Sequence, residues 1–593
     1  MARKTGPRAP EDAPPAGSTA ETQDSEGALL RIGGATGGSL GDRLATRASV
    51  ALYNTPLHRL RLRGRFPLKL LGVPEDPVPG DAAIGERIVA GRLIHAGHTV
   101  MTRDFRFGDP AHPAAWRDWA NSWAWLRDIA ACLPDRKAAA ARAEPLVARW
   151  LAEFGDYDPA AWRADIIGQR LLLALGHAPL ILSSTDHVYR SAVLSAIATW
   201  ARHLDRAAFR LADSPGKAVA LAGLYAAGTL IPGGEARSIN TLAALEKLLG
   251  TLVLPDGGMA TRTPRDGVLL AEWLLFAAGC APAIRVRTPA LFPDTLDRLV
   301  PHLKSLALGD GIIGGWHGGA SVPAATLDRL EKRSASGNAP NRNGRWSGYH
   351  RLSAGKTVLV IDAGPPPLSR QATGHAGTLA FELSDGADRL ITNCGGAGGL
   401  PQPLDPALAA GLRTTAAHST LVIDETNSTR ISAKGPLGSG VNEVSFQSRR
   451  SEEGHWLDAS HDGYVKRFGM IVRRQLFLSP DGQDLRGQDS IEPAPKSLLK
   501  RRPDRAFNIR FHLGPGVAAT PTADGAGALL KLPQGRVWAL KTRVDGGPGT
   551  VAIEASIWVD PAGTVHKTQA LVISGHTQQA AASISWSFKR AGK

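Results

Sequence analysis

The chain has 593 residues, of which 43% are hydrophobic and 21% are charged, the proportions of an ordinary globular protein. At about 150 residues per domain, this length predicts more than one domain. The 69 Lys and Arg residues against 54 Asp and Glu give a formal net charge of +15, which favours a polyanionic partner or a solvated basic surface. The three cysteines, Cys132, Cys280 and Cys394, are spaced neither as a zinc ribbon nor as a disulfide framework.

The N-terminal region, residues 1–45, is rich in Pro, Ala, Gly, Ser and Glu and lacks the apolar segment of a secretion signal. We predict that it forms a disordered tail. The longest apolar run, Ala218 to Ile231, is too short to cross a bilayer and is followed by Pro232. We therefore predict a buried helix at this position and no transmembrane segment.

Residues 46–335 are predicted to form a helical domain. They are rich in Ala and Leu, and apolar residues recur three to four positions apart, as at Leu242, Leu245, Leu248 and Leu249. Gly and Pro interrupt this pattern at short intervals, which indicates helical hairpins packed side by side. The pattern alone leaves a bundle, a solenoid and a toroid open.

The polar segment Glu331 to Ser347 is predicted to be a domain boundary, and residues 345–593 to be a β domain. Thr357 to Ile361 is a β-branched run typical of a strand. Thr378 to Ser384 and Arg389 to Asn393 flank a short turn, as the two strands of a hairpin do. Helices followed by strands argue for an α+β multidomain protein rather than a parallel α/β sheet.

Three polar residues in and around this hairpin, His375, Asn393 and His418, are candidates for a functional site. A strand through His375 would put it on the same face as Phe381. A three-residue loop at Asp385 to Ala387 would place Asn393 on that face, diagonally near His375, whereas a two-residue loop would place it on the other face. A second histidine, His418, follows. From the residues alone, two histidines hydrogen-bonded in a sandwich core are the favoured interpretation.

Short ordered segments of the chain resemble heparinase II/III-like proteins. In the β region these segments are Gly348 to Leu352, Asp362 to Pro366, Gly374 to Gly377, Phe381 to Leu383, Asn393 to Gly395, Arg413 to Thr420, Ser460 to Tyr464 and Phe511 to Leu513. In the helical region they are Asn121 to Trp123, Trp162, Gly168 to Arg170 and Leu254 to Gly258. The resemblance covers nearly everything after the N-terminal tail.

The resemblance implies an incomplete (α/α) toroid followed by an antiparallel β-sandwich, and β-elimination on uronic-acid polysaccharides in a cleft between the domains. It also implies a metal, usually zinc, held in the β domain by two histidines and a carboxylate. The matching positions are His375, Asn393 and His418. Asn393 departs from this set, and zinc prefers His, Cys and carboxylate ligands. Without a metal, the three side chains would form a hydrogen-bonded core network.

β-Elimination needs groups that neutralise the uronate carboxylate, a base that removes the C5 proton and an acid that protonates O4. The resemblance implies that His, Tyr or Asn residues of the toroid contribute to this acid–base chemistry. The candidate catalytic residues are Tyr349, His375, His187 and Tyr189. His187 and Tyr189 equally fit a polar pair at a helix end. Met259 follows two glycines where relatives tend to carry His, and Met cannot transfer a proton.

The candidate substrate-binding residues are Arg170, Trp162, Trp123 and Arg413. A guanidinium fork such as that of Arg170 matches a carboxylate, although an ion pair between helices would explain it equally. Trp123 and Trp162 suit stacking on sugar rings, but Trp in an Ala-rich helical domain more often packs in the core.

Four functional classes are compatible with these observations. The first hypothesis is a lyase for an acidic polysaccharide. The alternative, which Met259 and Asn393 suggest, is a non-catalytic glycan-binding or envelope-assembly protein on the same scaffold. A hydrolase would need two paired carboxylates, and nothing in the sequence pairs its Asp residues. Nucleic-acid binding rests on net charge alone, without a recognised motif.

We therefore expect an acidic polysaccharide as partner and no nucleic acid. The oligomeric state is open, a homodimer included. The resemblance implies a location in the cell envelope or periplasm, while the missing export signal keeps the cytoplasm as the alternative.

Overall fold

The structure, a computed structural model, has a helical domain followed by a two-sheet β domain. It describes residues 25–31, 53, 55–64, 69–103, 105–334, 336, 344–367, 373–432, 435–495 and 503–592. This architecture confirms the predicted fold class, an incomplete toroid followed by an antiparallel β-sandwich.

One strand, β1 (Ser25–Arg31), precedes the helical domain, which consists of helices joined by short loops. The helices are α1 (Pro56–Leu62), α2 (Ala82–Val89), α3 (Ala114–Ser122), α4 (Trp125–Cys132), α5 (Arg136–Phe154), α6 (Ala164–Gly176), α7 (Ala178–Ile181), α8 (His187–Arg210), α9 (Pro215–Leu230), α10 (Glu235–Leu252), α11 (Pro264–Ala278), α12 (Leu291–Ser305) and α13 (Ala324–Ser334). A small hairpin, β2 (Arg92–His95) with β3 (His98–Met101), lies between α2 and α3.

Polar caps begin several of these helices. Asp81, Asp135 and Asp186 accept backbone N–H bonds in the first turns of α2, α5 and α8, and Ser214 does so for α9. Each cap satisfies amide donors that the start of a helix leaves without a partner. The apolar faces of the helices pack into a single core, which the hydrophobic periodicity predicted.

Helices α6 and α9 cross closely at two glycines. A Cβ added at Gly223 would lie 2.3 Å from the carbonyl oxygen of Gly168, so this crossing requires glycine. Most of α9 is buried, which confirms the buried helix predicted for Ala218 to Ile231. The stretch Pro264–Ile284 is long and apolar enough to cross a membrane, and 56% of its most apolar window is buried inside the protein.

The β domain consists of two antiparallel sheets. Its strands are β4 (Tyr349–Ala354), β5 (Thr357–Asp362), β6 (Phe381–Asp385), β7 (Asp388–Thr392), β8 (Leu421–Ile423), β9 (Glu443–Ser451), β10 (Gly454–His461), β11 (Met470–Leu478), β12 (Asp484–Pro493), β13 (Ala506–Leu513), β14 (Ala518–Pro521), β15 (Gly527–Lys531), β16 (Val537–Val544), β17 (Gly547–Pro548), β18 (Val551–Val559), β19 (Val565–His576) and β20 (Ala582–Ala591). Two short helices, α14 (Pro406–Gly411) and α15 (Val465–Phe468), interrupt them.

The larger sheet has the order β1-β9-β10-β11-β12-β20-β16-β15-β14, with β17 paired to β16. The smaller sheet has the order β18-β19-β13-β7-β6-β5-β4, with β8 paired to β13. Along β11, buried residues alternate with partly exposed ones, as expected when one face of a sheet covers a core. Phe381, Phe511 and Trp586 pack together between the two sheets.

Helix α13 ends at Ser334, and the next strand along the chain, β4, begins at Tyr349. The predicted tail over residues 1–45 is wrong at Ser25–Arg31. This segment is β1, which pairs with the edge strand β9, and Leu30 packs against the sandwich core. The segment gains a hydrogen-bonded ladder there, and Leu30 adds apolar contact. The rest of that predicted tail lies outside the described residues.

Candidate functional site

A buried ion pair joins the two domains. Arg262 lies in the loop before α11, and Asp362 is the last residue of β5. Arg262 Nη2 lies 2.5 Å from Asp362 Oδ1, and both side chains are almost fully buried. Arg262 Nε also donates to the Ser347 carbonyl and Nη1 to the Pro365 carbonyl, both at 2.7 Å. All three nitrogens of this guanidinium therefore donate within the protein.

His317 completes the network at the second carboxylate oxygen. Its Nε2 lies 2.9 Å from Asp362 Oδ2 and 3.2 Å from Arg262 Nη1. Because an ionised carboxylate only accepts hydrogen bonds, Nε2 carries the proton. Burial lowers the pKa of His317, although Asp362 opposes that shift, so the ring is neutral near pH 7.

Electrostatics keep this pair ionised despite its burial. Burial alone would raise the pKa of Asp362, but Arg262 and His317 lower it to about 2. Burial likewise opposes the charge of Arg262, and the Asp362 carboxylate raises the pKa of the guanidinium. The positive charge of Arg262 and the negative charge of Asp362 therefore neutralise each other inside the junction.

The backbone at this network is strained. Arg262 has φ +54° and His317 has φ +45°, both in the left-handed region that non-glycine residues avoid. Each such residue costs about 1–3 kcal/mol and persists only where its surroundings impose it. On the toroid side, Asp256 Oδ2 accepts from the backbone N–H groups of Trp346 and Ser347, which fixes the chain at the entry to β4.

Tyr349, a candidate catalytic residue, lies in this junction. Its hydroxyl donates to the Arg262 carbonyl oxygen at 2.7 Å, and the Arg262 guanidinium lies over its ring, 4.9 Å from the centroid. Burial raises the pKa of Tyr349 well above its ordinary value. The phenol is therefore neutral and already uses its proton, which argues against Tyr349 as the base.

A second buried network lies beside the first. Arg389 binds Asp310 through Nε and Nη2, at 2.7 and 3.0 Å, and its Nη1 donates to Glu382 Oε2 at 3.1 Å. Glu382 Oε1 accepts from the backbone and the side-chain amide of Asn393, at 3.2 and 3.4 Å. Asn393 Oδ1 accepts from the Ser419 backbone N–H at 2.9 Å. The Asn393 side chain thus serves the core of the sandwich.

The two candidate histidines of the metal set contact each other. His418 Nδ1 lies 2.7 Å from the Thr414 carbonyl oxygen and therefore carries a proton. Burial lowers the pKa of His418 to about 4, so the ring is neutral and its Nε2 accepts from His375 Nδ1 at 3.0 Å. Burial, together with His418 and His317, lowers the pKa of His375 well below its ordinary value, which leaves His375 Nε2 without a proton.

The hairpin explains why Asn393 does not join the histidines. Asp385 pairs with Asp388, so the loop has two residues, and a bulge at Leu390 then shifts the register to Leu383 opposite Ile391. The strand begins only at Phe381, and Leu379 adopts a left-handed conformation with φ +64°. The expected strand face shared by His375 and Phe381 is therefore wrong. Of the two loops left open for Asn393, the hairpin has the two-residue one.

These residues fit a zinc ion poorly. The facing nitrogens of His375 and His418 satisfy each other, and the Asn393 amide is committed to Glu382 and Ser419. Within the described ranges, no group of three or more His, Cys, Asp or Glu residues is arranged to hold a metal. A zinc site normally takes four ligands from His, Cys and carboxylates. Zinc binding at this position stays a prediction.

Three predicted substrate-binding residues belong instead to the toroid core, which corrects those predictions. Arg170 is fully buried between Trp150 and Trp200, and its Nη1 donates to the carbonyls of Asn121 and Ala161. Trp123 packs edge-on against the same two tryptophans. Trp162 donates to the Phe154 carbonyl and is almost fully buried. Packing explains all three side chains.

The remaining candidates lie elsewhere. His187 is exposed at the start of α8, and Tyr189 packs partly against the toroid core, with burial raising the pKa of its phenol. The helix-end interpretation of this pair agrees with that placement. Arg413 donates to the Gly374 and Gly435 carbonyls, so it fixes the segment that carries His375. Met259 is buried in the toroid core.

Sequence reasoning missed Arg262, His317 and Arg389, which form the centre of the junction. Asp362 and Glu382 lay in family-like segments but were given no role. A usable signal was present around His317, since Gly314-Gly315-Trp316-His317-Gly318-Gly319 is a glycine-rich loop that can hold unusual backbone angles. No local pattern marks Arg262 as the partner of a residue 100 positions away.

The sequence profile of the family described as Heparinase II/III-like, C-terminal, matches residues 336–587. A curated protein of Caulobacter vibrioides (strain NA1000 / CB15N), FtsZ-localized protein C, is 32% identical over 505 residues, which cover 82% of this chain and 84% of that protein. The chain belongs to the heparinase II/III-like family.

Solved structures share the fold. A heparan sulfate lyase HepC mutant from Pedobacter heparinus superposes with a TM-score of 0.64 at 14% identity, covering 93% of this chain and 89% of that one. A crystal structure of heparinase III gives a TM-score of 0.68 at 12% identity, with 92% and 89% covered. These similarities define a polysaccharide-lyase scaffold, the toroid and sandwich that the resemblance implied.

Proposed function

We propose that this protein is a non-catalytic binding protein for an acidic envelope polysaccharide, built on a lyase scaffold and located with FtsZ. The proposal rests chiefly on the junction between the domains, where the resemblance expects the catalytic cleft. A lyase needs cations or preorganised hydrogen-bond donors there to neutralise the uronate carboxylate. Arg262 and Arg389, two buried guanidinium groups of the junction, are instead neutralised by buried carboxylates of the protein itself.

Freeing Arg262 for a substrate would be costly. Asp362 would remain buried with its strongest counter-charge removed, and breaking a buried pair in this way costs about 3–5 kcal/mol. The phenol of Tyr349 is turned to the Arg262 carbonyl, and Met259 supplies no proton. Arg170, His187 and Tyr189 lie outside the junction network. The arrangement therefore favours a stable junction over turnover.

The location part of the proposal comes from the relative named FtsZ-localized protein C. With 32% identity over most of both chains, the two proteins share more than the fold. We propose that this chain also localises with FtsZ at the cell envelope. Fluorescence microscopy of tagged protein beside tagged FtsZ tests this part, and a uniform distribution in dividing cells would contradict it.

A lyase for acidic polysaccharide is the second candidate function, and one observation favours it. Arg265, in the first turn of α11, has a buried Nε without a hydrogen-bond acceptor, and it forms no ion pair within the part of the chain that the structure describes. A Cβ at Gly399 would lie 2.2 Å from that Nε, so the guanidinium lies close to the backbone of the loop that follows β7 in the sandwich. Arg265 is therefore a cation of the described residues that could still bind the carboxylate of a uronate substrate.

Ultraviolet absorbance of the C4=C5 double bond separates the two candidates. The purified chain would be incubated with heparan sulfate, alginate, hyaluronan and capsular polymers. We expect no rise in absorbance with any of them, together with binding of at least one polymer by calorimetry. A rise that His375→Ala and Arg265→Met abolish would overturn the proposal in favour of the lyase.

A further inference from the structure

The outer face of the larger sheet carries a long groove, far along the chain from the residues of the domain junction. Its volume is about 1120 Å³, and it runs across β10, β11, β12, β20 and β16. Neighbouring strands lie about 4.8 Å apart, so a row across these five strands spans about 19 Å. That length suits an extended polymer better than a small metabolite.

The register of the strands orders the side chains of this groove into rows. In the first row, Trp456 faces Phe477, Phe477 faces Arg486, Arg486 faces Ser587 and Ser587 faces Lys541. Residues directly opposite on one face of an antiparallel sheet are in contact range. The row therefore passes from two aromatic rings to the cation Arg486, then to a hydroxyl and to the cation Lys541.

The second row runs parallel to the first. Gln475 faces Gln488, Gln488 faces Ser585 and Ser585 faces Arg543. Gln475 Nε2 donates to Asp458 and Gln488 Nε2 to Ser583. The amide oxygens, the second hydrogen of each amide and the Ser585 hydroxyl still offer acceptors and donors along the middle of the groove. Polar groups spaced along a sheet face match the hydroxyl groups of a sugar chain.

The aromatic end is an open platform. Trp456 is 45% exposed although it is one of the largest apolar side chains of the sheet, and its ring packs against Phe477 at 4.4 Å between centroids. The Arg486 guanidinium lies over Phe477 on the far side of the row, 5.9 Å from the ring centroid. The exposed Trp456 ring, supported by the half-buried Phe477, presents an apolar face on which a pyranose ring can lie.

The charge of the groove favours an anionic occupant. Its lining holds four cations, Arg486, Lys541, Arg543 and Lys589, against the two carboxylates Asp484 and Asp524. Arg486 is paired with Asp484 at 2.7 Å. Among the described residues, the exposed Lys541, Arg543 and Lys589 have no carboxylate within ion-pair distance, although Lys541 lies near enough to Asp524 to help lower its pKa. A polymer that carries regularly spaced carboxylates would complement them.

We infer that this groove binds an acidic polysaccharide strand, with sugar rings on Trp456 and Phe477 and carboxylates on Lys541 and Arg543. The inference rests on the proposed function, whose polysaccharide it supplies with a binding site outside the domain junction. An acidic protein segment is less well matched. Extended peptides usually pair with a free strand edge, and helical ones need an apolar groove, whereas this site is a polar sheet face.

Calorimetry with alginate, a polymer charged only by carboxylates, tests the inference. We expect Trp456→Ala to weaken binding about fivefold through the lost aromatic face. Lys541→Ser with Arg543→Ser should weaken it about tenfold through two lost cations. The matched controls are Phe209→Ala, an exposed aromatic of α8, and Lys247→Ser, an exposed cation of α10, and both should bind as the parent does.

The outcomes separate the groove from the proposed function. If alginate binds the parent and all groove variants equally, the groove assignment is overturned while polysaccharide binding stands. If the parent binds none of the polyuronates, both are overturned. If poly-L-glutamate binds with the groove dependence expected here and alginate does not, the site takes an acidic protein segment and the inference fails. Urea unfolding of each variant shows whether a loss of binding reflects a loss of fold.

Discussion

Arg262 and Asp362 lie 100 residues apart in the chain and form the ion pair that joins the toroid to the sandwich. The pair is ionised because each charge is the main stabiliser of the other inside the protein. A residue pair of this kind resists separation of the domains. Its energetic weight can be measured by removing one charge at a time.

Arg262→Met should lower the free energy of unfolding by about 3–5 kcal/mol, because Asp362 would be left buried without its cation. Urea unfolding followed by tryptophan fluorescence measures the loss. Arg163→Met is the matched control, since its ion pairs with Asp118 and Asp165 are partly exposed and should each contribute less than about 1 kcal/mol.

The double variant Arg262→Met with Asp362→Asn should lose less stability than the two single changes added together. Such coupling identifies the pair itself as the source of the effect. Additive losses would mean that the two side chains act through separate neighbours.

The crossing of α6 and α9 provides a second prediction. Gly223→Ala should destabilise the protein by about 1–3 kcal/mol, because the new methyl group would collide with the Gly168 carbonyl. Gly250→Ala, in α10, meets nothing within 4 Å and should raise stability by about 0.4–1 kcal/mol. The two substitutions are chemically identical, so opposite signs in urea unfolding would locate the effect in the helix crossing. Equal effects would contradict it.

Buried histidines make stability depend on pH. Burial lowers the pKa of His350, His418, His461 and His512 to about 4. The unfolded chain binds protons at these positions below about pH 6.5 while the folded chain does not. Stability is therefore full above about pH 6.5 and is lost progressively as the pH falls towards 4.

Urea unfolding between pH 8.5 and pH 4.5 measures this dependence. Each buried histidine should contribute about 1.4 kcal/mol per pH unit within the window. His512→Asn should reduce the slope by the share of one group, while the parent curve should be flat between pH 7.5 and 8.5. A parent curve that is equally flat down to pH 5 would show that these rings do not resist protonation.

Zinc addition tests the histidine pair. Because the facing nitrogens of His375 and His418 bind each other and Asn393 is engaged elsewhere, we expect no stoichiometric zinc after incubation with one equivalent and gel filtration. Elemental analysis gives the answer. One zinc per chain that His418→Ala removes, with the fold intact, would establish the family-like site despite Asn393.

The sequence predicted the architecture because the patterns that define it are local. Leu-rich periodicity determines which face of α10 is buried. The β-branched run at Thr357 to Ile361 can be recognised as a strand without knowing which strands pair with it. The alternatives for Trp123 and Trp162 as packing residues were also sound, since large aromatic rings in an Ala-rich domain are needed to fill its core.

The centre of the junction was beyond local reasoning. Arg262 meets Asp362 and His317 only after a toroid loop docks on the sandwich. A single extra residue, Leu390, resets the register of its hairpin, and the strand preceding it starts later than the residue alternation suggests. Arg170 illustrates another limit. Both its predicted roles assumed an acidic partner, and the structure surrounds it with tryptophan rings and carbonyl groups.

Strand β1 has a consequence for how the molecule can be divided. The first described segment, β1, lies in the larger sheet, the toroid follows it in the chain, and β9 belongs to that sheet again, so the chain crosses the domain boundary twice. A fragment that begins at residue 345 would lack β1 and would expose the amide and carbonyl groups of β9. Such a free edge can pair with a second copy of the fragment. A single backbone cut between the domains would, by contrast, leave β1 of the N-terminal part hydrogen-bonded to β9 of the C-terminal part.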